Sequence, residues 1–318
     1  MQKNTIMETK KALVLSGGSV KGAFQAGAVK AFMDKGYKFD SIYGISVGSL
    51  NGTFISHEAG LQNVSKELLD WPLIGNNLVN FWIDNIKEPN DLVIKRNKLE
   101  TLGSVIFNNF NGLVDTKPIQ TLVRAKIKME NLYKSPVKLT VGAVNIADGE
   151  IVYANPSFPN FVDYVLASTA IPIIMPVVPI GGNKNQPFLD GGIRDVAPLK
   201  QAIQAGAEEI VCIACQSKSL GGVTFNNENL LSLSERVMDI VVNEIVNNDI
   251  EWADYFNNFL PTDGATETMG PLAGYRKIKL TVIRPPRPIS LDLETFTTTE
   301  IKDTIASGYQ TVMEQIKL

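Results

Sequence analysis

The chain has 318 residues, 44% hydrophobic and 20% charged, with a formal net charge of −3. These totals fit one large α/β domain or two small ones with ample core, and they argue against nucleic-acid binding and against a polybasic membrane anchor. Two cysteines, Cys212 and Cys215, cannot make a disulfide framework.

The stretch Met1 to Lys11 is polar and charged, without the apolar segment of a secretory signal. The longest apolar run, Ile171 to Ile180, is broken by Pro172, Pro176 and Pro179 and is too short to span a bilayer. A cytoplasmic protein is expected, with signal-independent export left open.

Ala12-Leu13-Val14-Leu15 reads as a buried strand. It runs into Ser16-Gly17-Gly18-Ser19-Val20-Lys21-Gly22, and a helix follows from Ala23 to Lys35. Strand, Gly-rich loop and helix together present main-chain N–H groups to an anion. No Lys-Ser/Thr pair follows Gly22, and the glycines lack the dinucleotide spacing, so nucleotide binding is disfavoured. The competing functional reading is an oxyanion hole. Gly17, Gly18 and Ser19 would donate N–H bonds there, and Lys21 would add positive potential. A tight turn without function is the plain alternative.

A second strand, Phe39 to Tyr43, leads into Gly44-Ile45-Ser46-Val47-Gly48 and then a helix-like segment from Ser49. Gly-x-Ser-x-Gly in that context is a nucleophile elbow, which presents the Ser46 hydroxyl at a helix N-terminus. Gly44 and Gly48 would let strand and helix approach closely. His57 is the sole histidine. Eleven residues along a helix place it roughly 16 Å from Ser46, so a Ser-His-Asp triad is disfavoured and His57 is expected at the surface.

The segment from Leu61 to Phe110 carries Trp71, Phe81, Trp82, Phe107 and Phe110, which suit a lid, an acyl-binding wall or ordinary core. Asp115-Thr116-Lys117-Pro118 opens a helix expected to reach about Met129. Val137 to Val144 and Glu150 to Ala154 read as strands joined through Asp148-Gly149. A helix from Asn160 to Ala167 precedes Ser168-Thr169-Ala170-Ile171-Pro172. A short strand, Pro187 to Leu189, ends in Asp190-Gly191-Gly192, which suits an exposed carboxylate on a sharp loop or a simple capping Asp. A helix from Pro198 to Ala205 and a buried strand from Glu209 to Cys215 follow. Cys-x-x-Cys inside a strand, without a second pair, disfavours zinc or redox use. The long helix Leu230 to Phe256 is expected to pack through Val237, Ile240, Val241 and Ile245. A strand from Lys277 to Ile283 and a helix from Thr299 to Ile316 close the chain. Alternating strands and helices predict an α/β domain with a largely parallel sheet.

The Gly17–Gly22 loop, the Ser46 elbow and Asp190-Gly191-Gly192, in that order, resemble the patatin-like phospholipase family. Gly112-Leu113-Val114-Asp115-Thr116-Lys117-Pro118 and Ala167-Ser168-Thr169-Ala170-Ile171-Pro172 are similar to further pieces of it. The resemblance implies a three-layer α/β/α sandwich with a largely parallel central sheet. It implies a patatin-like catalytic core over 10–210, with 211–318 completing the same domain.

The resemblance further implies a serine acyl hydrolase for phospholipids or related lipids. Ser46 and Asp190 would form a dyad, with Gly17, Gly18 and Ser19 as the oxyanion hole. Lys21, Gly22, Gly44, Gly48, Gly191 and Gly192 would support it. No metal or cofactor is required. The implied partner is a lipid acyl ester, with transient membrane-surface contact and no nucleic acid; oligomeric state is not readable. Two departures stand out. Ser19 replaces a third glycine, and Val196 stands where the family often has Asn. They leave room for a catalytically weak lipid-binding or regulatory protein, and an acyltransferase or thioesterase would use the same acyl-enzyme.

Overall fold

The computed structural model describes residues 10–97, 99, 101, 102, 106, 110–222 and 229–316. The first half contains β1 (Lys11–Leu15), α1 (Gly22–Asp34), β2 (Ser41–Ile45), α2 (Val47–Gln62) and α3 (Trp71–Asn85). A small antiparallel pair, β3 (Ile94–Lys95) and β4 (Val114–Asp115), precedes α4 (Lys117–Lys126) and α5 (Met129–Lys134). Next come β5 (Lys138–Asn145), β6 (Ile151–Ala154), α6 (Phe161–Ser168), β7 (Val178–Pro179) and β8 (Pro187–Asp190). The chain continues through α7 (Leu199–Gln204), β9 (Glu209–Ile213), α8 (Leu230–Asn258), β10 (Lys279–Ile283) and α9 (Thr298–Gln315).

The main sheet runs β10-β9-β1-β2-β5-β8-β7, with β6 also paired to β5. The first five strands of that order are mutually parallel, and β6, β7 and β8 join antiparallel. Strands from beyond residue 208 thus share one sheet with those that carry the Gly-rich loop and the Ser46 elbow.

β1 explains why the sheet is covered on both faces. Leu13 and Leu15 enter one core, with α1, α3 and α9, while Ala12 and Val14 enter a second, with α7 and α8. β9 divides likewise: Val211 and Ile213 face the first core, Ile210 and Cys212 the second. A strand apolar on both faces reads as a continuous run, and each Leu or Ile it buries contributes about 1.5–3 kcal/mol. The result is a three-layer α/β/α sandwich.

α1 and α9 cross with almost no side chain between them. A Cβ on Gly27 would lie 1.8 Å from the Ile305 carbonyl oxygen, and one on Gly308 would lie 2.0 Å from that of Phe24.

Three local expectations need correction. His57 is buried, not superficial: its Nε2 lies 2.9 Å from Asn131 Nδ2 and its Nδ1 3.3 Å from Glu58 Oε1, tying α2 to α5. The helix after Asp115 stops at Lys126, because Ile127 turns extended (φ −96°, ψ 120°) before α5 begins. Thr116 is the N-cap, while the Asp115 carboxylate takes the Lys117 N–H at 2.9 Å. The packing face of α8 is only partly the one expected: Ile245 packs, but beside Val242 and Val246, whereas Val237, Ile240 and Val241 are exposed. The helix is apolar on more than one side, so periodicity alone did not choose the buried side.

Candidate active site

Ser46 joins β2 to α2 with φ 55° and ψ −127°. A non-glycine residue in such a conformation costs about 1–3 kcal/mol, so its surroundings must hold it. They do so through main chain and small residues. A Cβ on Gly44 would meet the Gly48 carbonyl oxygen at 2.4 Å, and one on Gly48 would meet that of Leu15 at 2.2 Å. The Ser46 N–H donates to Ser168 Oγ (2.8 Å), and Ser168 Oγ donates to the Gly142 carbonyl (2.6 Å). Ser49 Oγ lies 2.7 Å from Ser168 Oγ and donates to the Gly44 carbonyl (2.9 Å). Ser168 and Ser49 are therefore the braces of the elbow. Ser168 lies in the Ala167–Pro172 motif and Ser49 just after the elbow motif, and no local pattern marks either as a brace.

β5 acts as the ruler that brings Asp190 to Ser46. Its Gly142 pairs with Ile45, the residue before Ser46, and its next residue, Ala143, pairs with Asp190. The Asp190 N–H donates to the Ala170 carbonyl (3.0 Å), and its Oδ1 accepts the Gly192 N–H (2.7 Å). Gly191 packs against β5, where a Cβ would stand 2.6 Å from the Gly142 carbonyl oxygen. Asp190 is buried, and burial pushes its carboxyl up to about 7. Hydrogen bonds from the Ser46 side chain and the Gly192 N–H oppose that shift.

The Gly-rich loop lies on the other side of Ser46. A Cβ on Gly17 would be 3.1 Å from Ser46 Cβ, and one on Gly18 would be 2.3 Å from Cys215 Cβ. One expectation fails here. The Gly17 N–H already donates to the Val196 carbonyl (3.1 Å), so it is committed to holding the loop. Among the described residues, no protein acceptor takes the N–H of Gly18 or Ser19, and both residues line the cavity beside Ser46. Ser19 occupies φ 52°, a left-handed position that a glycine would fill without strain. Gly22 lets α1 approach the elbow helix, since a Cβ there would be 2.2 Å from Val47 Cγ2.

Lys21 also departs from its expected role. Its Nζ is paired with Asp239 Oδ1 at 2.6 Å, so its charge is largely offset rather than aimed at the serine. The loop is braced from below by polar groups. Gln25 Nε2 donates to the Ser16 and Ile213 carbonyls, and Gln216 Nε2 donates to the Gly17 carbonyl. Cys212 and Cys215 are free and buried, with thiols pushed up to about 12 by burial, which leaves them unreactive.

Two cavities meet at Ser46. One, of about 80 Å³, is lined by Gly18, Ser19, Ser46, Asp190, Glu235 and Asp239 among others. Burial and the neighbouring Asp292, Glu294 and Asp239 push the Glu235 carboxyl up to about 7 as well. The other, of about 50 Å³, is nearly all apolar, with Leu50, Trp82, Ile86, Leu92, Val93 and Met175 on its walls. Four of these, Trp82, Ile86, Leu92 and Val93, come from the Leu61–Phe110 segment, whose Trp71, Phe81 and Trp82 are buried core. That region therefore supplies both core and cavity wall, while Phe110 is exposed and Phe107 lies outside the described residues. Among the described residues, no group of three or more His, Cys, Asp or Glu side chains could hold a metal ion.

Residues 13–203 match the sequence model of the patatin-like phospholipases. The chain belongs to the patatin-like phospholipase family. Lipid acyl hydrolysis is the chemistry of that family at its broadest. This patatin-like chain is 28% identical over 207 residues to the uncharacterized protein YjjU of Escherichia coli, covering 64% of its own length and 51% of that protein. It is 34% identical over 59 residues to a neuropathy target esterase of Drosophila persimilis, 19% of its own length and 4% of the esterase. It thus spans about half or less of the curated relatives it matches. Among solved structures it is similar to VipD from Legionella pneumophila, with TM-score 0.43 and 13% identity over 96% of this chain and 66% of that one.

Proposed function

We propose that this chain is a serine acyl hydrolase that cleaves fatty-acyl esters of phospholipids or related lipids through an acyl-enzyme. The observation that supports it is the convergence of the Ser46 hydroxyl, the Asp190 carboxylate and the unengaged N–H groups of Gly18 and Ser19 on one cavity.

In this mechanism Asp190 takes the proton of Ser46 as the hydroxyl attacks the ester carbonyl. The carbonyl oxygen becomes an oxyanion, and the N–H groups of Gly18 and Ser19 stabilise it, joined by the positive end of the α2 dipole. The tetrahedral intermediate collapses, the C–O bond to the alcohol breaks, and Asp190 returns the proton to the leaving oxygen. Water then attacks the acyl-serine, Asp190 accepts its proton, and the fatty acid leaves with Ser46 restored. The apolar cavity under Trp82 and Leu92 would take the acyl chain, and the cavity lined by Glu235 and Asp239 would face the alcohol side.

Asp190 does work that a histidine does elsewhere, and its burial is what fits it for the task. A carboxyl of ordinary acidity would be a poor base, whereas one raised to about 7 accepts a proton with less cost. The buried His57, further along α2, is tied to Asn131 of α5 and takes no part.

Hydrolysis of a medium-chain nitrophenyl ester and of a phosphatidylcholine tests this directly. Ser46→Ala and Asp190→Asn should each lower turnover at least about 10³-fold, by analogy with removal of other nucleophile–base pairs, with the fold intact by circular dichroism. Near-normal turnover in either variant rules the dyad out.

A further inference from the structure

The segment after Asp190-Gly191-Gly192 is held from outside the sheet. Val196 and Ala197 are buried, and their two N–H groups both donate to a single oxygen, Asp249 Oδ2, at 3.0 and 2.9 Å. Asp249 projects from α8, more than 50 residues further along the chain. The same Val196 offers its carbonyl to the Gly17 N–H at 3.1 Å. One residue thus accepts bonds from the loop that carries Asp190 and, through Val196, fixes the loop that carries Gly18 and Ser19. Two buried N–H groups left without an acceptor would each cost roughly 1–3 kcal/mol, so these loops will not keep their places without one.

The surroundings of Asp249 are equally specific. Its carboxyl also hydrogen-bonds that of Asp195, and Asp195 accepts from the Tyr153 hydroxyl. Burial pushes Asp249 up, and the neighbouring Asp195 carboxylate adds to it. When Asp249 is protonated, its O–H donates to Asp195 while the other oxygen keeps both amides.

We propose that Asp249 is a positioning residue for hydrolysis: by holding the Val196 and Ala197 amides it sets the separation between the Asp190 base and the Gly18 and Ser19 donors. This rests on the assignment of Ser46 and Asp190 as nucleophile and base. Asp249 touches no reacting atom. Its effect is to keep the base and the oxyanion donors at one distance, and a displacement of about 1 Å in such a pair costs roughly 10²-fold in rate.

The test is steady-state hydrolysis of the nitrophenyl ester by the full chain and five variants. Asp249→Ala and Asp249→Leu both remove the acceptor, Leu while keeping most of the volume. Each that folds should lower kcat about 10- to 100-fold with little change in KM. Asp249→Asn should stay within about threefold of wild type, because its amide oxygen has two lone pairs for the two N–H groups and its NH₂ still donates to Asp195. Tyr153→Phe disturbs the same cluster without touching either amide and should keep kcat near wild type. Wild-type kcat in the Ala or Leu variant overturns the proposal. So does an Asn variant, or a Tyr153→Phe variant, as slow as Leu. Ser46→Ala, run beside them, separates the two levels: retained turnover there would remove the assignment of Ser46 itself, whereas an inactive Ser46→Ala with a fully active Asp249→Leu would refute only the role of Asp249.

Discussion

At the residue scale the site depends on holding two groups in states they would avoid alone. Ser46 is kept at φ 55° by the packing of Gly44 and Gly48 and by Ser168 Oγ, and Asp190 is kept out of water. The second constraint sets a pH dependence. In the proposed dyad Asp190 accepts the Ser46 proton only when ionised, and burial lifts its carboxyl to about 7. Below that value the neutral acid dominates, so kcat/KM should fall about tenfold per pH unit and should level off above it. A pH–rate profile on the nitrophenyl ester checks this, and a flat profile between pH 5 and 8 contradicts it. Ser46 was legible in the sequence because Gly-x-Ser-x-Gly must occur where strand and helix backbones touch. The other residues of the site were less so. The engagement of the Gly17 N–H by Val196, the pairing of Lys21 with Asp239 and the brace from Ser168 are contacts between segments far apart in the chain, and no local pattern marks them.

At the element scale, strands and helices followed the sequence closely where both local pattern and packing agreed. β1 and β9 are continuous apolar runs because each is buried on two faces, and that pattern is unmistakable. α8 was harder to orient. It is apolar on several sides, and its buried side is chosen by β9, β10 and α7 rather than by its own sequence. The α1–α9 crossing was not visible at all, since Gly27 and Gly308 look like ordinary helix-weakening residues until their neighbours are known. Here they are required: Gly27→Ala should destabilise the protein by about 1–3 kcal/mol or more, because the added methyl would overlap the Ile305 carbonyl. Urea unfolding of the variant measures this, and an unchanged midpoint would show that the two helices part freely.

At the scale of the whole molecule, the cavity opens beside a long apolar surface. Leu230, Leu233, Val237, Ile240 and Val241 are exposed along α8, while Met238 and Val242 of the same helix line the cavity. No helix among the described residues is long and apolar enough to cross a membrane. On the function proposed above, this apolar stripe beside the cavity would be the part that meets a lipid surface. If so, Ile240→Glu should reduce hydrolysis of phosphatidylcholine vesicles about tenfold, the equivalent of one side chain's transfer free energy, while leaving the dispersed nitrophenyl ester untouched. Equal loss on both substrates would point to damage at the site, and no loss on vesicles would exclude the stripe from contact. The most direct measurement of the central claim is intact-mass and peptide analysis after treatment with an alkyl nitrophenyl phosphonate, which mimics the tetrahedral intermediate. One phosphonyl group should appear, on Ser46, with turnover falling in proportion. It should be absent in Ser46→Ala and far slower in Asp190→Asn. Full inhibition with the label on another residue, or turnover that survives complete labelling of Ser46, would contradict the acyl-enzyme at this serine.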